Sequence, residues 1–434
     1  MKKKFLGLVL GLAVSVTLGG CGNKDALSSS GNAPSNSPQG SASEKGELTL
    51  LMTNDWLDKS KPIGSEFTKV IQQYQEENPG VKIKLQSASA QDIKENFQTA
   101  ALAGGGPDIV IMDNSGHAID LAAMGLLEPL SKHDSAEKLT SRYQEGPLNS
   151  GKFNGEYYSV PWYMDCCGLY YNADRLKELN LEVPTTWDEL STALDTVLEA
   201  GYGGITTYQS AYAFYSFFYQ NDCPVIDTSK EMPKVVVDNQ AGKEAWNYVC
   251  DLVQKGALVE SFKEATTWDK VYESFANGEA TFLMGGDWCA PGIEGVNPDM
   301  NYGIAPMVSG KKQATILGGW TWNININSKN PDLAYDLISY LNSEKGDSIL
   351  AAEGKISARK EFDYKKALEG KDQLKVFTEE FPYTEARPAI INEKAIDKII
   401  TNRILEVQYG KSDSEQSLKD LKKELDENIA ENYK

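Results

Sequence analysis

Residues 101–113 read Ala-Leu-Ala-Gly-Gly-Gly-Pro-Asp-Ile-Val-Ile-Met-Asp, and the change of pattern within them decides the fold class. Upstream, residues 91–103 have the apolar spacing of a helix. The glycine run and Pro107 stop it, because neither continues an α-helical hydrogen-bond ladder. Residues 108–112 then form a short apolar run of the kind buried in a sheet. That run ends at Asp113-Asn114-Ser115-Gly116, where a strand meets a loop. Helix, stop, strand and polar loop in that order belong to an α/β layer, and open α/β sheets hold ligands at the carboxyl ends of their strands.

The same alternation extends in both directions. Residues 47–53 read as a strand, 63–78 as a helix closed by Asn78-Pro79-Gly80, and 81–86 as a strand. After a turn at 152–156, strands are expected at 157–160 and 168–171, with helices at 174–179 and 187–200. Thr186 and Glu189 form a capping-box pattern at the start of the latter. Helices at 240–255 and 267–276 precede a strand at 280–284, which runs into Gly285-Gly286-Asp287-Trp288. A long alternating strand at 316–326, a helix at 331–341 opening on proline and a charged amphipathic helix at 414–433 complete the pattern. No fixed-period repeat is visible. From about residue 46 to 434 the chain is too long for one core, so two domains are expected.

The N-terminal residues carry a different signal. Lys2, Lys3 and Lys4 precede an uncharged, largely apolar run over 5–20, short for a bilayer span but suited to a signal segment. It ends in Leu18-Gly19-Gly20-Cys21, which resembles a bacterial lipobox, with the Cys21 thiol as the lipidated nucleophile. Residues 1–20 are therefore expected to be a signal peptide. Residues 21–46, rich in Ser, Asn, Pro and Gly, are expected to be a lipidated, disordered tether. The body would then lie on the extracellular face of the cell membrane, held through its N-terminal lipid only.

Composition narrows the partners. A formal charge of −19 argues against nucleic acid and anionic lipid as ligands. Two histidines, His117 and His133, and no Cys-x-x-Cys pair leave little for a transition metal, so neither metal nor cofactor is expected. Beyond Cys21 there remain Cys166, Cys167, Cys223, Cys250 and Cys289. Their odd number leaves at least one thiol free or paired between chains, and they read mainly as small buried hydrophobes, with one disulfide the alternative.

Five segments in order carry a family resemblance: 101–113 (ALAGGGPDIVIMD), 153–172 (FNGEYYSVPWYMDCCGLYYN), 183–190 (VPTTWDEL), 275–288 (FANGEATFLMGGDW) and 329–341. Together, behind a lipobox, they resemble the extracellular solute-binding proteins of carbohydrate ABC importers, the maltose-binding-protein-like family, over nearly all of the mature chain. The resemblance implies an α/β, two-lobed periplasmic-binding-protein type II fold with hinge crossovers and a central ligand cleft. The expected lobes are 47–163 plus 320–365 and 166–316 plus 366–434. The implied partners are a mono- or oligosaccharide and the permease subunits of an ABC importer, with the protein itself a monomer and not an enzyme.

A sugar ring has an apolar face and a rim of hydroxyls, so its site needs aromatic plates beside acids, amides and Arg. Asp55 and Trp56 after the first strand, Trp162 and Asp165, Tyr208 and Gln209 at a strand-to-helix junction, Asp287 and Trp288, Trp320 and Trp322, and Arg387 meet that description. The resemblance places a stacking aromatic at Trp288, a polar contact at Asp113 and a hinge-region acid at Asp165. Trp320 and Trp322 are two apart in a strand and so share a face, either lining one wall or both buried. Tyr212 and the aromatic residues that follow it read as core. A secreted glycosidase or esterase is the rival class, but no Gly-x-Ser-x-Gly elbow, His-Glu-x-x-His or P-loop occurs. A sensor subunit or a binder of another solute remains an alternative on the same fold.

Overall fold

The computed structural model describes residues 46–114, 116–230 and 232–433. The expected signal peptide, Cys21 and most of the expected tether lie outside the described residues. Eleven strands build two sheets: β1 (Gly46–Thr53), β2 (Val81–Ala88), β3 (Ile109–Asp113), β4 (Ser159–Cys166), β5 (Gly168–Asn172), β6 (Gly203–Thr206), β7 (Ala280–Gly285), β8 (Tyr302–Ala305), β9 (Thr315–Ile324), β10 (Ile356–Ser357) and β11 (Thr384–Ala386).

The first sheet runs β10-β4-β9-β3-β1-β2, with β11 also paired to β9. One side of it, β2-β1-β3, is parallel, Gly46↔Val81 through Thr53↔Ala88 and Leu50↔Ile109, so the carboxyl ends of β1 and β3 come out side by side. β9 runs antiparallel between β3 and β4. The second sheet runs β8-β5-β7-β6. Strands covered on both faces should read as unbroken apolar runs, and Ile109–Met112 of β3 and all six residues of β7 are buried.

The chain passes between the sheets at short links. β4 ends at Cys166 in the first sheet and β5 begins at Gly168 in the second, leaving Cys167 as the junction. Thr315 Oγ1 donates 2.8 Å to the Cys167 carbonyl, tying β9 to that junction. Residues 306–314 return from β8 to β9. After β11 the chain enters helix Glu393–Gln408, which packs through Ile396, Ile400 and Ile404 in the second apolar core with Trp246 and Leu421. The first core gathers Leu50, Phe67, Ile111, Trp162, Trp322 and Leu337.

Most sequence-read elements stand within two residues of their expected bounds, and helix Pro331–Leu341 matches at both ends. Two strands differ. The expected 157–160 strand is β4, which runs on to Cys166 through buried Trp162 and Tyr163. The expected 316–326 strand stops at Ile324, because the Asn325 amide turns to donate to the carbonyls of Gly105 and Pro107, both at 2.9 Å. In the capping box, Thr186 Oγ1 accepts from Glu189 N, and the Glu189 carboxylate accepts from Thr185 N at 2.8 Å. Cys166, Cys167, Cys223, Cys250 and Cys289 are all free and buried. Among the described residues no helix is long and apolar enough to cross a membrane.

Candidate functional site

The carboxyl ends of β1 and β3 point at the junction of the two sheets. Thr53 ends β1 and leads into a single helical turn, Asn54–Leu57, that carries Trp56. Trp56 meets Trp320 of β9 edge-on at 4.6 Å between ring centroids, Trp162 at 5.1 Å and Tyr163 at 5.8 Å. Behind them Trp162 packs against Trp322 at 4.9 Å. The β9–β4 register explains the layering. It runs Trp320↔Tyr163 and then Thr321↔Pro161, so Trp162 is the extra residue of a β-bulge. Bulges re-aim side chains beside functional sites, and Pro161 has no N–H to lose there. Trp320 is left half-buried, while Trp162 and Trp322 are fully enclosed.

The facing wall starts where β7 ends. Gly286 has room for no side chain: a Cβ would sit 2.0 Å from the Trp288 ring, which folds back over it. Half-buried Trp288 packs edge-on against Trp268 at 5.2 Å and lies 6.1 Å from Tyr212. Tyr208 stacks on Trp268 at 5.4 Å.

Polar contacts join the two sides. Lys355, just before β10 of the first sheet, reaches Asp287 of the second at 2.9 Å, with side-chain exposures of 6% and 7%. Tyr212 OH donates to Asp165 Oδ1 at 3.1 Å. Arg387, one residue past β11, donates to Asp113 Oδ1 at 3.0 Å and lies over the Tyr212 ring at 5.1 Å. Its Nε stands 4.0 Å from Glu393 Oε1.

Burial in this junction moves several ionisations. Asp165 is pushed up to about 8, first by desolvation and then by the charge of Asp287. Glu393 rises to about 8 and Asp397 to about 6, again by burial, against the pull of Arg387. For Lys355 burial disfavours the charge, but Asp287, Asp165 and Glu353 outweigh it and the pKa rises. His117 is driven down to about 4 by burial and so stays neutral near pH 7. Among the described residues no group of three or more His, Cys, Asp or Glu side chains is placed to hold a metal ion.

The structure brings Trp56, Asp113, Asp165, Tyr208, Asp287, Trp288, Trp320 and Arg387 to this junction. Asp55 follows on the same turn but is exposed and paired with Lys61 at 2.6 Å. Two expectations are corrected: Trp162 and Trp322 have no exposed surface and back the wall instead of facing a ligand. Half-buried Gln209 donates its amide nitrogen to the carbonyls of Phe262 and Lys263, fastening a loop. Sequence reasoning missed Tyr163, Tyr212, Trp268 and Lys355. By sequence Tyr212 reads as core with the aromatic residues after it, and Lys355 lies in no motif. Two open grooves lie elsewhere: about 340 Å³ along residues 181–193, and about 500 Å³ bordered by Ala305, Gln313 and Tyr383. Neither gathers aromatic plates from both sheets.

Two α/β sheets with short crossings and a polar, aromatic junction define a two-lobed substrate-capturing protein. The chain belongs to the bacterial extracellular solute-binding protein family, whose model matches residues 58–348. It is similar to the galactooligosaccharide-binding protein of Bacillus subtilis (strain 168), at 25% identity over 429 residues, 96% of this chain and 95% of that one. Among solved structures it resembles the GacH receptor of Streptomyces glaucescens GLA.O, studied unliganded and with acarbose, at 22% identity and a TM-score of 0.76 over 89% of this chain and 99% of that one. It also resembles an ABC transporter solute-binding protein from Thermotoga lettingae TMO bound with alpha-D-tagatose, at 24% identity and a TM-score of 0.75 over 88% and 99%.

Proposed function

We propose that this protein captures a mono- or oligosaccharide between its two lobes and delivers it to an ABC importer. The observation that carries the reading is that half-buried Trp320 of β9 and half-buried Trp288, Trp268 and Tyr208, from the segments that follow β6 and β7, pack against one core at the junction. Flat indole faces suit the C–H face of a pyranose, and the acids, Lys355 and Arg387 suit its hydroxyl rim. The galactooligosaccharide, acarbose and tagatose of its relatives support the same class of ligand.

The lobes in this reading are 47–163 plus 320–365 and 166–316 plus 366–434, pivoting at the Cys166–Cys167 and 306–314 crossings. Ligand acts through its better fit to the closed arrangement, in which both walls touch it. Cys21 carries the lipid that anchors the mature protein, which works as a monomer and catalyses nothing. A thermal-shift screen over mono- and oligosaccharides, followed by calorimetry, tests this. Stabilisation by at least one sugar is expected, since a ligand of the folded form raises the melting temperature. A flat response to sugars beside a clear response to amino acids or peptides would overturn it.

A further inference from the structure

We infer that the cleft selects uncharged saccharides and discriminates against anionic ones such as uronates and sugar phosphates. This rests on the sugar-binding reading and names the charge class of ligand at that same site. The argument begins with the cations. An acidic sugar is held by a cation whose charge is not already met, usually an Arg presenting two parallel N–H groups. Each cation at the junction is matched by carboxylates of the chain itself.

Lys355 is bonded to Asp287 at 2.9 Å, and Asp165 and Glu353 also act on its charge. Arg387 donates to Asp113 at 3.0 Å and is flanked by Glu393, with Asp397 also near. Lys61, at the Trp56 turn, is paired with Asp55 at 2.6 Å and feels Glu353. Deeper in, Lys94 is bonded to Asp120. His117 adds no charge, because burial keeps it neutral.

What remains are carboxyl groups, which offer an anion no countercharge. Burial raises Asp165 and Glu393 to about 8 and Asp397 to about 6, so the first two largely keep their protons at pH 7.5. A carboxylate arriving on a ligand would have to shed its water in the cleft with no unmatched cation to offset the loss, because Lys355 and Arg387 are already bonded to Asp287 and Asp113. To gain a cation it would have to break a pair enclosed at 6% and 7% side-chain exposure, stranding the acid left behind. A hydroxyl faces no such conflict. Being neutral, it can donate to a carboxylate oxygen and needs no cation taken from either pair. The Arg387 side chain is therefore a strut between Asp113 and helix Glu393–Gln408, not a clamp for an acidic ligand.

The test uses matched sugars on the full mature protein. For each neutral hexose oligosaccharide that raises the melting temperature, calorimetry at pH 7.5 compares it with counterparts bearing a C6 carboxylate or a C6 carboxamide. The expected result is that the carboxylate binds at least tenfold more weakly than the neutral sugar, while the carboxamide stays within about threefold. A uronate that binds as tightly as its neutral parent, or binds alone, would overturn the inference. So would a carboxamide that loses as much as the acid, which would place the discrimination in shape. If neither neutral nor acidic sugars bind, the sugar-binding reading itself fails and takes this inference with it.

Discussion

Replacing Lys355 with methionine tests whether the charged contact between the sheets governs ligand capture. The side chain is 6% exposed and its partner Asp287 7%, so solvent screens the pair little. Removing one member of a buried pair strands the other at a cost of about 3 kcal/mol, the low end for such losses. That cost falls on the arrangement in which the two walls meet, because an opened cleft rehydrates Asp287. Sugar affinity should therefore drop roughly 100-fold, the equivalent of about 3 kcal/mol. The stability of the unliganded protein should change by much less. Calorimetry on the wild type, Lys355→Met, Asp287→Asn and the double variant forms a cycle that isolates the pair, and contacting residues should show strong coupling. If Lys355→Met binds within threefold of wild type while its circular dichroism is unchanged, the pair does not hold the closed cleft. Purely additive losses in the cycle would refute the reasoning as well.

Other substitutions separate plates from packing. Trp288→Ala should weaken sugar binding at least tenfold by calorimetry and leave the denaturation midpoint almost unchanged. Trp322→Ala, with no exposed surface, should do the reverse and cost about 3–5 kcal/mol of stability in urea unfolding. Gly319→Ala should cost roughly 2–4 kcal/mol in the same assay, since Gly319 has φ +131° and a Cβ would stand 2.3 Å from the Tyr163 carbonyl oxygen. The buried acids set a pH trend. Asp165 and Glu393, near 8 in the fold against ordinary values of 3.8 and 4.5, bind protons that the unfolded chain releases. Their contribution is complete below about pH 4 and is lost as pH rises through 8. The unliganded protein should therefore melt at a lower temperature at pH 8.5 than at pH 5.5, and an unchanged or rising melting temperature would show these acids to be ionised throughout.

The layering was legible because its signals are local. Stops such as Gly104-Gly105-Gly106-Pro107, the Thr186 cap and Pro331 act within one turn of chain, and the apolar run of β3 follows from burial on both faces. What could not be read is what depends on partners far along the chain. Lys355 is unremarkable until it stands against Asp287, 68 residues away in sequence. Helix Glu393–Gln408 opens after Asn392, in a left-handed conformation and without a side-chain cap, so its start leaves little trace. The tryptophans divided for a similar reason. Trp320 and Trp322 share a strand face by parity, but only the bulge and the neighbouring Trp56 decide that one is half-exposed and the other enclosed.

That bulge and the adjacent glycines form one device. Gly318 lies opposite Asp165 across the β9–β4 ladder, and a Cβ there would stand 2.0 Å from Asp165 Oδ1 and 2.2 Å from the Tyr212 hydroxyl. The hydrogen bond from Tyr212 to Asp165 thus occupies the space that any other residue at 318 would fill. One position further, Gly319 takes the positive φ that lets β9 pass close over Tyr163, and Trp320 follows directly at the cleft. The Gly-Gly-Trp triplet is therefore more than a flexible hinge. Its missing side chains admit a contact made by Tyr212, which sits beside Trp288 and belongs to the other core. A small aliphatic residue at 318 would push Tyr212 and Asp165 apart and, through Tyr212, press on Trp288. One triplet therefore serves both parts of the cleft: Trp320 supplies an aromatic ring, and Gly318 leaves the space that the Tyr212–Asp165 hydrogen bond fills.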